Sequence, residues 1–291
     1  MILNETYSLL NGVQIPKLGL GTWMIENEAV VQVVKDAIEL GYRHIDTAAG
    51  YQNEEGVGRG IKESGVNRED LFVTSKVEAH IKDYDDAVKV INESLERLDI
   101  GYIDLMLIHS PQPWHDYRGE DLYFEGNLAT WRAFEEAYEA GKFRAIGVSN
   151  FEQVDLENLI QNGKVKPMVN QILAHITNIP TDLIAFCQSQ DIVVEAYSPI
   201  AHGAILDHPV VRETAEKYGV SAAQLCIRYV LELGTVALPK SSKKNHIQSN
   251  AEMDFTISEE DMTTLANLPL IETYGEDEDM PIYKYQFKDK E

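Results

Sequence analysis

Cysteine is scarce in this chain, with only Cys187 and Cys226 among 291 residues. Both sit in apolar helical patterns without the C-x-x-C spacing of a metal or redox site, so they read as buried free thiols. No apolar run approaches the roughly 18 residues of a membrane span. The opening MILNETYSLLNG lacks the basic-then-apolar pattern of a secretory signal, so the expected location is cytoplasmic. Basic residues are also in deficit: 25 Lys and Arg stand against 48 Asp and Glu, a formal net charge of −23. A surface this acidic repels phosphate backbones, which argues against a nucleic-acid partner. No Pro-, Ser- or Gly-rich linker divides the chain and no solenoid repeat is present, so residues 1–291 read as one domain. The GxGxxG expected after the first strand of an open dinucleotide-binding sheet is missing.

What is present is an alternation. Short β-rich apolar runs occur at 18–22, 44–48, 71–77, 103–109, 143–150, 168–172, 192–198 and 235–241. Amphipathic helical patterns separate them, such as 28–41, which closes on Gly41, and 83–99, which opens with acidic residues. Eight such units predict a closed parallel (β/α)8 TIM barrel, and the length suits a fold of about 250 residues. Residues 6–15 read as a hairpin around Asn11-Gly12, placed to plug the N-terminal end of the barrel. The less regular tail, 269–291, carries EDED at 276–279. It reads as a loop over the active-site end or as a solvated acidic tail.

Chemistry in such a barrel sits at the C-terminal ends of the strands. The second run ends on Asp46, with Tyr51 in the loop beyond; the third ends on Lys76 and the fourth on His109. Singly, these could be a helix cap, loop packing, an ion pair and a structural histidine. Together on one rim they suit hydride delivery to a carbonyl, where a developing alkoxide must be stabilised and protonated. A tyrosine pKa of about 10 is high for that work. Lys76 can lower it, with Asp46 holding Lys76 charged, while His109 orients the carbonyl. The histidines lack metal-ligand spacing, so no metal is expected, and the hydride must come from a cofactor.

These residues lie in recognisable motifs. GYRHIDTAAGYQNEEGVG (41–58), KFRAIGVSNF (142–151) and LPKSSKKNHIQSN (238–250) resemble the three signatures of the aldo-keto reductase family, and the resemblance spans about 15–250. It implies that Asp46, Tyr51, Lys76 and His109 are the catalytic group, with Tyr51 as general acid of reduction. It implies that Ser149, Asn150 and Gln171 hold the nicotinamide carboxamide, Tyr197 stacks on the ring, and Thr22, Trp23 and Asp46 contact the cofactor. Ser198, Pro199 and Ile200 open the loop that crosses the pyrophosphate. Lys240, Ser241, Ser242 and Lys243 correspond to the 2′-phosphate pocket of an NADP(H) enzyme, and Asn250 to an adenine contact.

Two positions depart from the family. His246 stands where an arginine is usual and cannot form its guanidinium fork, so a weaker preference for NADPH and some use of NADH are expected. Ser249 replaces an acid found in many relatives. Trp23, Tyr51, His109 and Trp114 are expected to line the substrate site, bordered by 110–124, whereas Trp131 reads as core. The overall expectation is a monomeric NADP(H)-dependent oxidoreductase that reduces small aldehydes and ketones: glyoxals, diketones, keto acids or keto esters. The competing reading is a nicotinamide-binding redox sensor on the same barrel. A barrel hydrolase is disfavoured by the absence of a metal cluster or paired catalytic carboxylates.

Overall fold

Each of the eight apolar runs carries one strand of a parallel sheet. The computed structural model describes every residue except Glu278 and 287–291, so part of the acidic run and the last residues of the tail lie outside the described residues. Strands β1 (Thr6–Ser8) and β2 (Gln14–Pro16) form the antiparallel hairpin, with Tyr7 opposite Ile15. Its connection is longer than a two-residue turn: Leu9 N donates to Val13 O at 2.8 Å, and Gly12 turns the chain at φ +85°.

The barrel then runs β3 (Leu20–Gly21), α1 (Asn27–Glu39), β4 (His44–Asp46), α2 (Glu54–Ser64), β5 (Phe72–Val77), α3 (Tyr84–Leu98), β6 (Ile103–Ile108) and α4 (Phe124–Glu139). It continues through β7 (Phe143–Ser149), α5 (Gln153–Asn162), β8 (Val169–Leu173), α6 (Thr181–Ser189), β9 (Val193–Tyr197), α7 (Pro209–Tyr218), α8 (Ala222–Glu232) and β10 (Val236–Leu238). Helices α9 (Lys244–Asn250), α10 (Glu259–Ala266) and α11 (Pro281–Lys284) follow. Strands β3 to β10 pair side by side in chain order, all parallel. The circle is completed by bridges from Leu18 to Ala237 and from Gly21 to Lys240.

The N-terminal end of the barrel interior is apolar. Leu9 and Ile15 of the hairpin segment pack there against Phe72, Leu105, Leu107, Val169 and Val236, so the plug expected from the sequence is in place. A larger apolar layer lies between strands and helices and includes Trp131, which is fully buried and donates to Val165 O at 2.9 Å. Cys187 and Cys226 are buried and free. Among the described residues no helix is long and apolar enough to cross a membrane.

Helix boundaries follow local chemistry. Asp83 caps α3 by accepting from Asp85 N and Asp86 N, and α1 gives way to Gly41 at φ +100°. Glycines in α2 let it nest between its neighbours. A Cβ at Gly56 would stand 2.0 Å from Asn27 O, and one at Gly58 1.9 Å from Leu98 O. This close packing fixes the segment just before α2, which carries Tyr51. Asn53 ties the same segment to the end of β3 by donating to Thr22 O at 2.9 Å and Ile25 O at 3.0 Å.

Candidate active site

Alternation along β5 decides which side chains enter the barrel. Phe72 belongs to the apolar floor, and Lys76, four residues on, faces the same interior two layers higher. Lys76 is completely buried. Its Nζ donates to Asp46 Oδ1 at 2.7 Å, to Thr47 O at 2.8 Å and to the Tyr51 hydroxyl at 3.2 Å. His109 stands beside them, its ring centroid 5.7 Å from that of Tyr51 and 5.5 Å from that of Trp114. The four residues read from strand ends are thus brought together.

The electrostatics differ from the simplest expectation. Burial pushes the Tyr51 phenol above its ordinary value; Lys76 opposes that rise but does not overcome it. Burial acts to lower the Lys76 pKa, yet Asp46 and Tyr51 outweigh it and hold the ammonium above its usual range. Burial, reinforced by Lys76, holds His109 well below the usual imidazole range, so the ring is neutral.

Behind this group lies a second polar layer. Gln171 Nε2 donates to Asp46 Oδ2 and to Glu195 Oε2, both at 2.8 Å. Asn150 donates to His109 O at 3.0 Å and to Ser149 Oγ at 3.1 Å, and accepts from the Tyr197 hydroxyl at 2.7 Å. Ser149 Oγ donates to Gln171 O at 2.9 Å. Ser149, Asn150 and Gln171 therefore form one locked set. Amide and hydroxyl oxygens each carry two lone pairs, so the set keeps acceptor capacity for a ligand amide.

Glu195 was not singled out from the sequence. It is fully buried, burial pushes its carboxyl up to about 8, and its Oε1 lies 3.5 Å from the equally buried His44 Nε2. An acid within the apolar run 192–198 was the available signal.

These residues open onto a cavity of about 760 Å³. Trp23, Tyr51, His109 and Trp114 line one end, and Lys240 reaches the other. Residues 17–268 match the Aldo/keto reductase family. The chain belongs to that family. It is similar to glyoxal reductase of Bacillus subtilis (strain 168), with 46% identity over 95% of this chain and 97% of that protein. It is also similar to methylglyoxal reductase DkgA of Escherichia coli (strain K12), with 38% identity over 93% of this chain and 96% of that protein. Among solved structures, the Bombyx mori aldo-keto reductase in complex with NADP superposes with a TM-score of 0.84 at 36% identity, covering 96% of this chain and 98% of that one.

In this aldo-keto reductase Asp46, Ser149, Asn150, Gln171, Tyr197, Ser198, Pro199 and Ile200 also border the cavity. Thr22 does not: it is fully buried, and its hydroxyl donates to Asp46 O at 2.8 Å. Ser242, Lys243 and His246 are exposed around the start of α9, and Asn250 is buried at its end. Ser241 Oγ accepts from Lys243 N at 3.1 Å. Of the nearby lysines, Lys244 is held by Glu39 at 2.6 Å and Asp36 at 3.4 Å, whereas Lys240 and Lys243 have no ion pair among the described residues.

The tail residues Asp277, Met280, Pro281, Ile282 and Tyr283 lie over the cavity, which decides the reading of the C-terminal segment in favour of a cover. They are fastened to the loop after β9: His202 shares hydrogen bonds with Asp277 Oδ2 at 2.5 Å and with the Tyr283 hydroxyl at 2.6 Å. Of the segment 110–124, Trp114 lines the cavity. Arg118 turns away, donating to Glu152 Oε1 at 2.6 Å and Asn150 O at 3.2 Å.

Proposed function

We propose that this chain works as one barrel domain, as a monomer, reducing small aldehydes and ketones to alcohols with NADPH, glyoxals first among them. The observation that carries the reading is Lys76 Nζ, which bridges Asp46 at 2.7 Å and the Tyr51 hydroxyl at 3.2 Å beneath an aromatic-walled cavity. The relatives named for glyoxal and methylglyoxal reduction support the substrate class.

The residues present fit a nicotinamide dinucleotide phosphate. The acceptor-rich set of Ser149, Asn150 and Gln171 suits a carboxamide, Tyr197 offers a ring face, and Lys240 and Lys243 offer unpaired cations to a phosphate on a chain of net charge −23. When bound, the reduced cofactor supplies the hydride.

The protein's own groups manage the proton. Burial keeps Tyr51 protonated at rest, so it holds a proton to donate to the substrate oxygen as charge develops there. Lys76, fixed by Asp46 and Thr47 O, stabilises the phenolate left behind. Neutral His109 keeps one ring N–H to orient the carbonyl.

The test follows oxidation of NADPH and NADH with aldehydes, glyoxals, diketones and keto esters. Tyr51→Phe is expected to lower kcat/KM by roughly 10²–10⁴ while NADPH binding persists; full turnover in that variant would overturn the role given to Tyr51. Measurable NADH use is expected from His246. A strong NADPH preference that His246→Arg leaves unchanged would count against that assignment.

A further inference from the structure

The period of β5 places one more side chain on the inward face above Lys76. Residue 78 follows two positions on, one layer nearer the mouth, and it is glutamate. Glu78 is half-buried and lines the cavity. Its side chain lies over Gly50, the residue before Tyr51: a Cβ built on Gly50 would stand 3.6 Å from Glu78 Cγ. Among the described residues the Glu78 carboxylate has no ion-pair or hydrogen-bond partner.

The other charged groups at this end of the cavity are already engaged. The three N–H donors of Lys76 go to Asp46, Thr47 O and Tyr51. Asp277 is paired with His202. His109 is neutral, and Arg118 points its guanidinium toward Glu152 and Asp155 instead of the cavity. His80, beside Glu78 on the rim, is exposed to solvent. Lys240 lies at the far end, next to Gly21. A substrate carboxylate entering beside Tyr51 would therefore meet one unpaired like charge and no free ammonium or guanidinium.

We infer that Glu78 is a charge filter: it makes the site select uncharged carbonyl compounds, such as dicarbonyls and keto esters, and reject keto acids. The inference rests on the reductase reading and narrows its substrate class. The Lys76 charge is spent on Tyr51 and on Asp46, which lies against it at 2.7 Å, and the buried ammonium offers no free N–H to a carboxylate at the mouth.

The test compares an α-keto acid with its own ethyl ester, using NADPH and the full-length chain. The ester is expected to be favoured in kcat/KM by roughly tenfold or more, the effect of one like charge nearby at intermediate dielectric. Glu78→Gln, which keeps shape and removes charge, is expected to shrink that ratio by about the same factor, and Glu78→Asp to keep it. Added salt is expected to weaken the general repulsion of a −23 protein in all three forms and to leave most of the difference between Glu and Gln. Equal use of acid and ester by the native protein, or a ratio that Glu78→Gln does not move, overturns the filter while ester turnover upholds the reductase reading. Silence toward every carbonyl overturns both.

Discussion

At the N-terminal end of the barrel the inward positions of β5, β6, β8 and β10 carry Phe72, Leu105 and Leu107, Val169 and Val236. At the C-terminal end the same four strands lead to Lys76, His109, Gln171 and Lys240. The backbone pattern is the same and the contents are opposite. The loops differ in the same way. Met24, Gln52 and Ser198 follow strands at the mouth in left-handed conformations, each strained by about 1–2 kcal/mol, and Asn150 adopts the same conformation. On the floor side most such positions are glycines, such as Gly41, Gly101 and Gly141, and the exceptions, Asp99 and Asp191, are of a residue type that tolerates the conformation. One end of the barrel is built for stability; the other holds buried polar groups and strained backbone that the first must support.

Three substitutions would break or sharpen this contrast. The largest effect is expected from Lys76→Met at the mouth. It strands Asp46 without its cation, which destabilises the fold by about 3–5 kcal/mol, and it removes the support of Tyr51. Thermal unfolding and NADPH-dependent turnover should both fall. Adding Asp46→Asn should recover stability but not activity, and recovery of both would contradict the division of roles.

Leu105→Ala on the floor is expected to cost about 2–5 kcal/mol by opening a cavity among fully buried neighbours. Turnover per folded molecule at 25 °C should stay native; a collapse of kcat without a drop in Tm would show that the two ends are not separable.

At pH 5 the smallest effect is expected from Glu195→Gln, in the layer between them, and it grows as pH rises. The Glu195 carboxyl is raised from 4.5 to about 8 in the folded chain, so the folded state holds a proton that the unfolded state has released across that interval. Its contribution to stability is complete below about pH 4.5 and is lost as pH rises toward 8. The glutamine variant escapes that loss, so its Tm relative to the native protein should rise between pH 5 and pH 8, by roughly 2–4 °C per kcal/mol. A pH-independent difference would mean that Glu195 is ionised in the fold.

The sequence made the barrel and its chemical rim legible because both depend on local order. Alternating residues fix strand faces, and polar residues at the ends of apolar runs fall at the mouth, which is how Asp46, Lys76 and His109 were found. Glu195 was hidden because it occupies the inward face of an apolar strand, where its partners Gln171 and His44 come from other strands. Glu78 was missed because it sits one residue beyond the run that defined its strand. The bond of His202 to Asp277 joins residues far apart in the chain, and no spacing rule encodes such a meeting. The net rise of the Tyr51 pKa likewise depends on how deeply the folded chain encloses the hydroxyl, whereas a motif shows only that a lysine is near.

The seam between the first and last barrel strands has a consequence for assembly. Bridges from Leu18 to Ala237 and from Gly21 to Lys240 close the longest loop in the sheet, so they carry the greatest chain-entropy penalty on folding. Gly21 and Lys240 also border the cavity from opposite sides of that seam. A molecule held across them binds only chains whose circle is complete, and by mass action it raises the population of that state. Occupancy of the site and closure of the barrel are therefore linked equilibria.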